Sequence, residues 1–117
     1  MAQSKNQPTK DVIANVDTLV DLVEYQEGSM VRKPLVDNKV GSIILFAFAE
    51  GQGLGLGGHH LPLFDDLAYI LDGEAEINVS DKLFQVKAGE IIVLPKNKIH
   101  TIKAIKRTKM LLMTIRA

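Results

Sequence analysis

The chain has 117 residues, enough for one globular domain with one hydrophobic core and too few for two. Its 14 lysines and arginines balance 14 aspartates and glutamates, so there is no overall basic charge to attract a nucleic acid. No cysteine is present, which excludes disulfides, thiolate metal sites and cysteine nucleophiles. No apolar run approaches a membrane span, and the polar residues 1 to 11 contain no apolar signal segment. We therefore expect a cytoplasmic protein without nucleic-acid or membrane partners.

The beginning of the chain predicts a tail and a single domain. Residues 1 to 11 are polar and predict a flexible N-terminal tail, which leaves residues 12 to 117 as one domain. Between Val12 and Val23 the apolar residues fall at helical spacing, but the same stretch is rich in valine. We predict a short helical turn followed by a strand over Leu19 to Tyr25.

The rest of the chain predicts strands separated by turns. Pro34 restricts the first of these strands to a sheet edge or a bulge. Asp72 and Gly73 form a dipeptide typical of a hairpin turn. About nine or ten short strands without a long helix indicate an all-β sandwich or small barrel, whose interior is filled by side chains or holds one small ligand. The strands are predicted over residues 30–36, 40–49, 65–71, 74–79, 83–87, 91–94, 100–105 and 110–115.

A glycine-rich segment, GQGLGLGG, occupies residues 51 to 58. It contains no lysine and no helix is predicted after it, so it does not match a phosphate-binding loop. We interpret the glycines as the means by which the chain bends tightly at the mouth of the barrel.

The three histidines are the first candidates for chemistry. His100 shares one strand face with Ile102 and Ala104, so we expect its side chain to point toward the barrel interior. An inward histidine is either a hydrogen-bonded core residue or a metal ligand. On a regular strand the adjacent His59 and His60 point to opposite faces, so at most one of them joins His100 unless a bulge re-aims the other.

The adjacent Asp65 and Asp66 also point to opposite faces of a regular strand, so at most one of them faces the interior. Asp66 shares its strand face with Ala68 and Ile70, whereas Asp65 lies on the opposite face. Both could simply occupy the solvated start of a strand, or Asp66 could present its carboxylate to the interior.

Two further groups have both a structural and a functional interpretation. The basic cluster over residues 103 to 109 is either a solvated turn or a means of drawing in an anionic substrate. Five large side chains serve either as ordinary core or as walls of a pocket: Phe46, Phe48, Tyr69, Met110 and Met113.

The segment GEIIVLPKNKIH, residues 89 to 100, resembles the second motif of the cupin superfamily. Gly89, Pro95 and His100 occupy the motif positions, and Asn97 stands where the motif has glycine. Asparagine is the residue that best tolerates a positive φ after glycine. Ala104 replaces the final asparagine of the motif.

The first cupin motif is matched less closely. In one alignment His59 takes the first histidine position, and Asp66 stands where the motif has glutamate, with six residues between it and Gly73 as the motif requires. In a second alignment, to a group of small single-domain cupins, His60 is the histidine retained and Asp65 takes the aspartate position. The first motif lacks one histidine, because Leu61 takes the second histidine position when His59 is first, and Pro62 takes it when His60 is first. The small single-domain group keeps only one histidine, and here His59 stands where that group has glutamate. The resemblance extends to residues near both ends of the domain, over 21–35 and 107–115.

The resemblance implies a double-stranded β-helix barrel that holds a divalent transition metal in its lumen: manganese, iron, nickel, zinc or copper. The residues that could take the ligand positions here are His60, His100, His59 and Asp66. Two functions follow from the resemblance. One is non-catalytic binding of a small molecule, either together with such a metal or with His60 and His100 acting only as polar contacts in an apolar pocket. The other is a metal-dependent oxygenase, isomerase or decarboxylase acting on a small organic substrate.

The resemblance also implies a homodimer, formed through sheet edges or exchanged N-terminal strands. The segment Leu19 to Val23 supports it, because it carries more apolar residues than an edge strand needs.

Overall fold

The structure is a computed structural model that describes residues 4–6, 12–57 and 61–116. In these residues the chain forms strands and one 3-10 turn, η1, over Leu19–Asp21. No helix of the described residues is long and apolar enough to cross a membrane. The strands are β1 Ser4–Asn6, β2 Met30–Asn38, β3 Gly41–Phe48, β4 Gly53–Leu54, β5 Asp65–Asp72, β6 Glu74–Val79, β7 Lys82–Lys87, β8 Ile91–Leu94, β9 His100–Ala104 and β10 Thr108–Ile115.

The strands form two sheets that face each other. The six-stranded sheet has the order β1-β2-β3-β10-β5-β8, and the four-stranded sheet has the order β4-β9-β6-β7. All pairs are antiparallel except β1 with β2. The prediction of an all-β double-stranded β-helix barrel is confirmed.

The main core lies between the two sheets because each strand alternates inward apolar and outward side chains. From the six-stranded sheet, Phe46 and Phe48 stack with ring centroids 5.4 Å apart. From the four-stranded sheet, Ile77 and Ile102 are almost fully buried against them. The lumen is therefore closed by packed side chains over most of its length.

A second apolar cluster covers part of the outer face of the six-stranded sheet. Val31, Leu45 and Ala47 point outward from β2 and β3, and Val23 packs on them with no exposed surface. The strand predicted over Leu19 to Tyr25 is therefore wrong. Residues Leu19 to Tyr25 instead form an irregular segment, which we call the covering segment. Its apolar side chains pack on the outer face of the sheet, and its backbone pairs with no described strand.

The connection between β5 and β6 is a corner and not the predicted hairpin. β5 pairs with β10 and β8, while β6 pairs with β7 and β9, so the chain passes from one sheet to the other at Gly73. Gly73 has φ +86°, and a Cβ there would lie 2.1 Å from the Arg107 carbonyl oxygen. The buried Thr108 hydroxyl accepts the Glu74 N–H at 3.1 Å and holds the corner closed.

At the other end of the sheet, the pairing of β2 with β3 shifts register between Pro34 and Val36. The bulge predicted from Pro34 is confirmed. Of the predicted N-terminal tail, Ser4–Asn6 form β1 beside residues 30 to 32 of β2, and the other tail residues lie outside the described parts of the chain.

Candidate functional site

His100 begins β9 and points into the space between the sheets. Its neighbours on the same face, Ile102 and Ala104, are buried in the core, and its own side chain is 16% exposed. The Nδ1 atom is buried and has no hydrogen-bond partner among the described residues. A buried polar atom of this kind is unusual, since such atoms normally have a partner.

Asp66 approaches His100 from the opposite sheet. It lies directly across from Thr114 in the pairing of β5 with β10, and the Thr114 hydroxyl donates to Asp66 Oδ1 at 2.5 Å. Asp66 Oδ2 is then 3.9 Å from His100 Nε2. This separation exceeds a hydrogen bond, so the two side chains face each other across the lumen without being joined.

A cavity of about 200 Å³ adjoins His100. Apolar side chains from both sheets and from the connections at the mouth form most of its wall. The lining residues are Leu54, Gly55, Pro62, Ile99, His100, Ile102 and Leu112.

The turn that precedes His100 is hydrogen-bonded to the segment at the start of β5. Asn97 has φ +65°, as expected from its place in the motif, and its N–H donates to the Pro62 carbonyl at 2.9 Å. The Lys96 N–H donates to Asp65 Oδ1 at 2.8 Å. Asp65 therefore stabilises the turn before β9, whereas Asp66 faces the lumen.

The glycine-rich segment brings the backbone against β9. β4 pairs Gly53 with Lys103, and a Cβ on Gly53 would lie 1.7 Å from the Ile102 carbonyl oxygen. Gly55 has φ +73°, and a Cβ there would lie 2.9 Å from the His100 carbonyl oxygen. These two positions require glycine because the backbone approaches β9 too closely for a side chain.

The described residues provide part of a metal-binding set. His100 and Asp66 offer a nitrogen and an oxygen donor, and neither group is hydrogen-bonded to the other. The remaining candidates, His59 and His60, lie outside the described residues, between the cavity-lining Gly55 and Pro62 in sequence. Within residues 12–57 and 61–116 no cluster of three or more potential ligands occurs. The two donors fit a transition metal only if a third joins them.

Comparison with known proteins places this site in a family. The family model described as "Cupin domain" matches residues 48–116, more than half of the chain. The chain belongs to the cupin family. The matched region of this cupin contains His100, Asp66 and all the residues that line the cavity. A search among curated proteins found no match.

Solved structures resemble this cupin over most of its length. A cupin superfamily protein from Desulfitobacterium hafniense shares 29% identity, with a TM-score of 0.81 over 99% of this chain and 100% of that one. A conserved protein of unknown function from Streptococcus pyogenes has the same identity and TM-score over 89% of both chains. A cupin 2 conserved barrel domain protein from Leptotrichia buccalis shares 38% identity over 83% of this chain and 46% of that one, with a TM-score of 0.76.

Sequence reasoning missed Thr114, a polar residue of this cupin's site, and placed Tyr69 and Met113 on the wrong face of their sheet. Thr114 orients Asp66, but only the order of strands in the sheet puts them opposite each other. Tyr69 and Met113, proposed as core or pocket wall, lie half-buried on the outer face of the six-stranded sheet, because the residues flanking them point inward. Phe46, Phe48 and Met110 belong to the main core.

Proposed function

We propose that this cupin binds a small organic molecule in its lumen, together with a divalent transition metal held by His100, Asp66 and one of His59 and His60. The observation that carries the proposal is the opposition of His100 and Asp66, whose Nε2 and Oδ2 atoms are 3.9 Å apart, with His100 lining a cavity. The two side chains come from different sheets, so a shared ligand is a direct reason for both to face inward.

The residues around the pair have separable roles in this proposal. Thr114 holds Asp66 Oδ1 by a hydrogen bond, which leaves Oδ2 directed at His100. His100 Nε2 lies 3.9 Å from Asp66 Oδ2 and is not hydrogen-bonded to it, so both atoms are available to a shared ligand. Leu54, Ile102 and Leu112 exclude water from the wall of the cavity, which strengthens every polar interaction inside it.

The cavity limits the class of ligand. Its volume of about 200 Å³ is smaller than the pockets that enclose drug-sized molecules, which start near 300 Å³. We propose a small organic molecule with an apolar body against the leucine and isoleucine wall and one polar group toward His100 and Asp66. A divalent metal in this set supplies Lewis-acid polarisation of an oxygen on such a molecule.

Metal loading of the full chain tests the donor set. Untagged protein is dialysed against manganese, iron, nickel, zinc or copper salts, and the bound metal per chain is measured by elemental analysis. We expect one metal per chain in the wild type, and His100→Ala and Asp66→Asn each to weaken binding by about ten-fold or more, because each removes a donor.

Asp65→Asn is the matched control, since the neighbouring carboxylate faces the turn and asparagine still accepts from the Lys96 N–H. It should bind as the wild type does. His59→Ala and His60→Ala identify the third donor, because only one of them should lose metal. Equal binding by the wild type, His100→Ala and Asp66→Asn, or no binding by any of them, would contradict the proposed metal site.

We also propose that two copies of the chain associate and that the protein acts in the cytoplasm. The family resemblance supports the association, but the surplus of apolar residues at Leu19 to Val23 does not, because Val23 is fully buried within its own chain.

A further inference from the structure

The two sheets meet at a seam where the chain passes from β7 to β8. The two strands follow each other in sequence, joined by Ala88, Gly89 and Glu90, but β7 is an edge of the four-stranded sheet and β8 is an edge of the six-stranded sheet. Among the described strands, β7 pairs with β6 and β8 pairs with β5, and they do not pair with each other. Beyond the turn, therefore, no ladder of main-chain hydrogen bonds closes the seam.

A groove with a volume of about 380 Å³ lies along this seam. Val79, Phe84 and Ile92 form its base, where they are half-buried because they pack on the main core and also reach the surface. Its rim includes Ile91 and Val93, each 58% exposed. We call it the seam groove, and its apolar lining consists of Val79, Phe84, Val86, Ile91, Ile92 and Val93.

The size and lining of the seam groove fit a small organic molecule. Sites for such molecules start near 300 Å³ and are mostly apolar with a few polar groups. The seam groove has this volume, and Gln85 and Glu90 are its polar lining residues. The cavity beside His100, at about 200 Å³, is smaller.

A lysine lies at one end of the seam groove. Lys82 begins β7, and strand alternation puts it on the same face as Phe84 and Val86, which line the groove. Its Nζ lies 5.3 Å from the centroid of the Phe84 ring. No ion pair within the described part of the chain involves Lys82. Its positive charge is therefore available to an anionic group on a molecule that lies in the groove.

The acidic residue of the groove lies at the other end and already has a partner. Glu90 belongs to the turn after β7, and its Oε1 accepts the Lys87 N–H at 2.8 Å. The six residues of β7 separate this turn from Lys82 by about 16 Å. The charges thus favour a ligand whose anionic group lies near Lys82 and whose apolar body extends toward the turn.

The short strands at the seam favour a small molecule over a peptide. β8 contains four residues. In an antiparallel pair only alternate residues direct their N–H and C=O groups to a given neighbour. Two residues of β8 would therefore hydrogen-bond to an added peptide strand, whereas the apolar lining of the groove offers contact along its whole length.

We propose that the seam groove is a second ligand site, which binds an amphipathic carboxylate. The apolar body of the ligand packs on Phe84 and Ile92, and its carboxylate lies near Lys82. This site goes beyond the proposed lumen site and is separate from it, because the groove and the cavity beside His100 share no lining residue among those described.

Binding of decanoate, an unbranched alkyl carboxylate, to the full chain tests the site by isothermal titration calorimetry. We expect one molecule per chain in the wild type. Val93→Asp places a like charge on the apolar rim and should weaken binding by about ten-fold or more. Leu83→Asp is the matched control, because Leu83 is 54% exposed and lies on the other face of β7. It should leave the dissociation constant unchanged.

A second pair of variants tests the anionic group. Lys82→Gln should weaken decanoate binding by about two- to five-fold, the range expected for an exposed ion pair. Lys103→Gln removes an exposed lysine of β9 that does not line the groove and should bind as the wild type does. Circular dichroism checks that all variants are folded.

His100→Ala distinguishes the two sites, since it changes the lumen and should leave decanoate binding intact. Loss of binding in His100→Ala would locate decanoate in the lumen and overturn the second site. So would equal effects of Val93→Asp and Leu83→Asp, or no saturable binding by the wild type up to about 1 mM decanoate. Equal binding by Lys82→Gln and Lys103→Gln would overturn the assignment of a carboxylate. Metal loading of the lumen, measured separately, is unaffected by any of these results.

Discussion

Tyr25 connects the covering segment to the six-stranded sheet. Its hydroxyl donates to Asp72 Oδ2 at 2.6 Å, and the Arg107 guanidinium lies 4.2 Å from the ring centroid. Lys109 Nζ lies 5.1 Å from the same ring and donates to the Val20 carbonyl at 2.6 Å. In the basic cluster over residues 103 to 109, Lys103, Lys106 and Arg107 are exposed, in agreement with a solvated turn, while Arg107 and Lys109 also pack on the Tyr25 ring.

The environment of Tyr25 predicts a pH-dependent contribution to stability. Burial and the hydrogen bond to Asp72, with the negative charge of Asp72, raise the pKa of Tyr25, and Arg107 only partly offsets them. Because the folded pKa is raised, the contribution is fully present below the unfolded value of about 10 and is lost as pH rises above it. We expect Tyr25→Phe to lower the free energy of unfolding at pH 8 and to lessen its fall above pH 10.

Urea unfolding of the wild type and Tyr25→Phe at pH 8, 9, 10 and 11 measures this difference. The gap between the two proteins should narrow above pH 10. A gap that stays constant across the series would show that the hydroxyl proton contributes no pH-dependent stability.

At the scale of elements, the corner between β5 and β6 depends on Gly73. Gly73 and Gly89 have nearly the same conformation, φ +86° and φ +87°, but a Cβ meets Arg107 at the first and open space at the second. Alanine at either position carries the cost of a left-handed conformation, about 1–2 kcal/mol. At Gly73 it must also displace the backbone that joins β9 to β10.

We therefore expect Gly73→Ala to be more destabilising than Gly89→Ala by about 1–3 kcal/mol, the usual cost of overpacking. Thermal and urea unfolding of both variants measure the difference. Equal losses of stability would mean that the corner relaxes around the methyl group and that only the positive φ matters.

The strands were predictable from sequence, but their connections were not. Alternation places Ile102 and Ala104 on one face whichever strand lies beside them, so local pattern was enough to orient His100. At Asp72 and Gly73 the residues specify a bend, but not whether the chain returns to the same sheet or crosses to the other. In the covering segment, the apolar residues predict that their side chains are buried. They do not predict which surface of the protein covers them.

The candidate site was predictable only where one strand carries the information. The inward orientation of Asp66 follows from its shared face with Ala68 and Ile70, which are fully buried. Its hydrogen bond to Thr114 and its opposition to His100 depend on which strands are neighbours and on how the sheets face each other. Those relations involve residues separated by 48 and 34 positions, beyond the reach of local periodicity.

For the whole molecule, the order of the six-stranded sheet has a consequence during synthesis. β10 lies between β3 and β5, although it is the last of the described strands to leave the ribosome. Until residues 108 to 115 emerge, β3 and β5 each present an unpaired edge, and such edges recruit other chains. We expect a chain that stops before Thr108 to aggregate instead of folding, and the soluble fraction after expression measures this. The yield of folded protein then depends on how quickly β10 is inserted between β3 and β5.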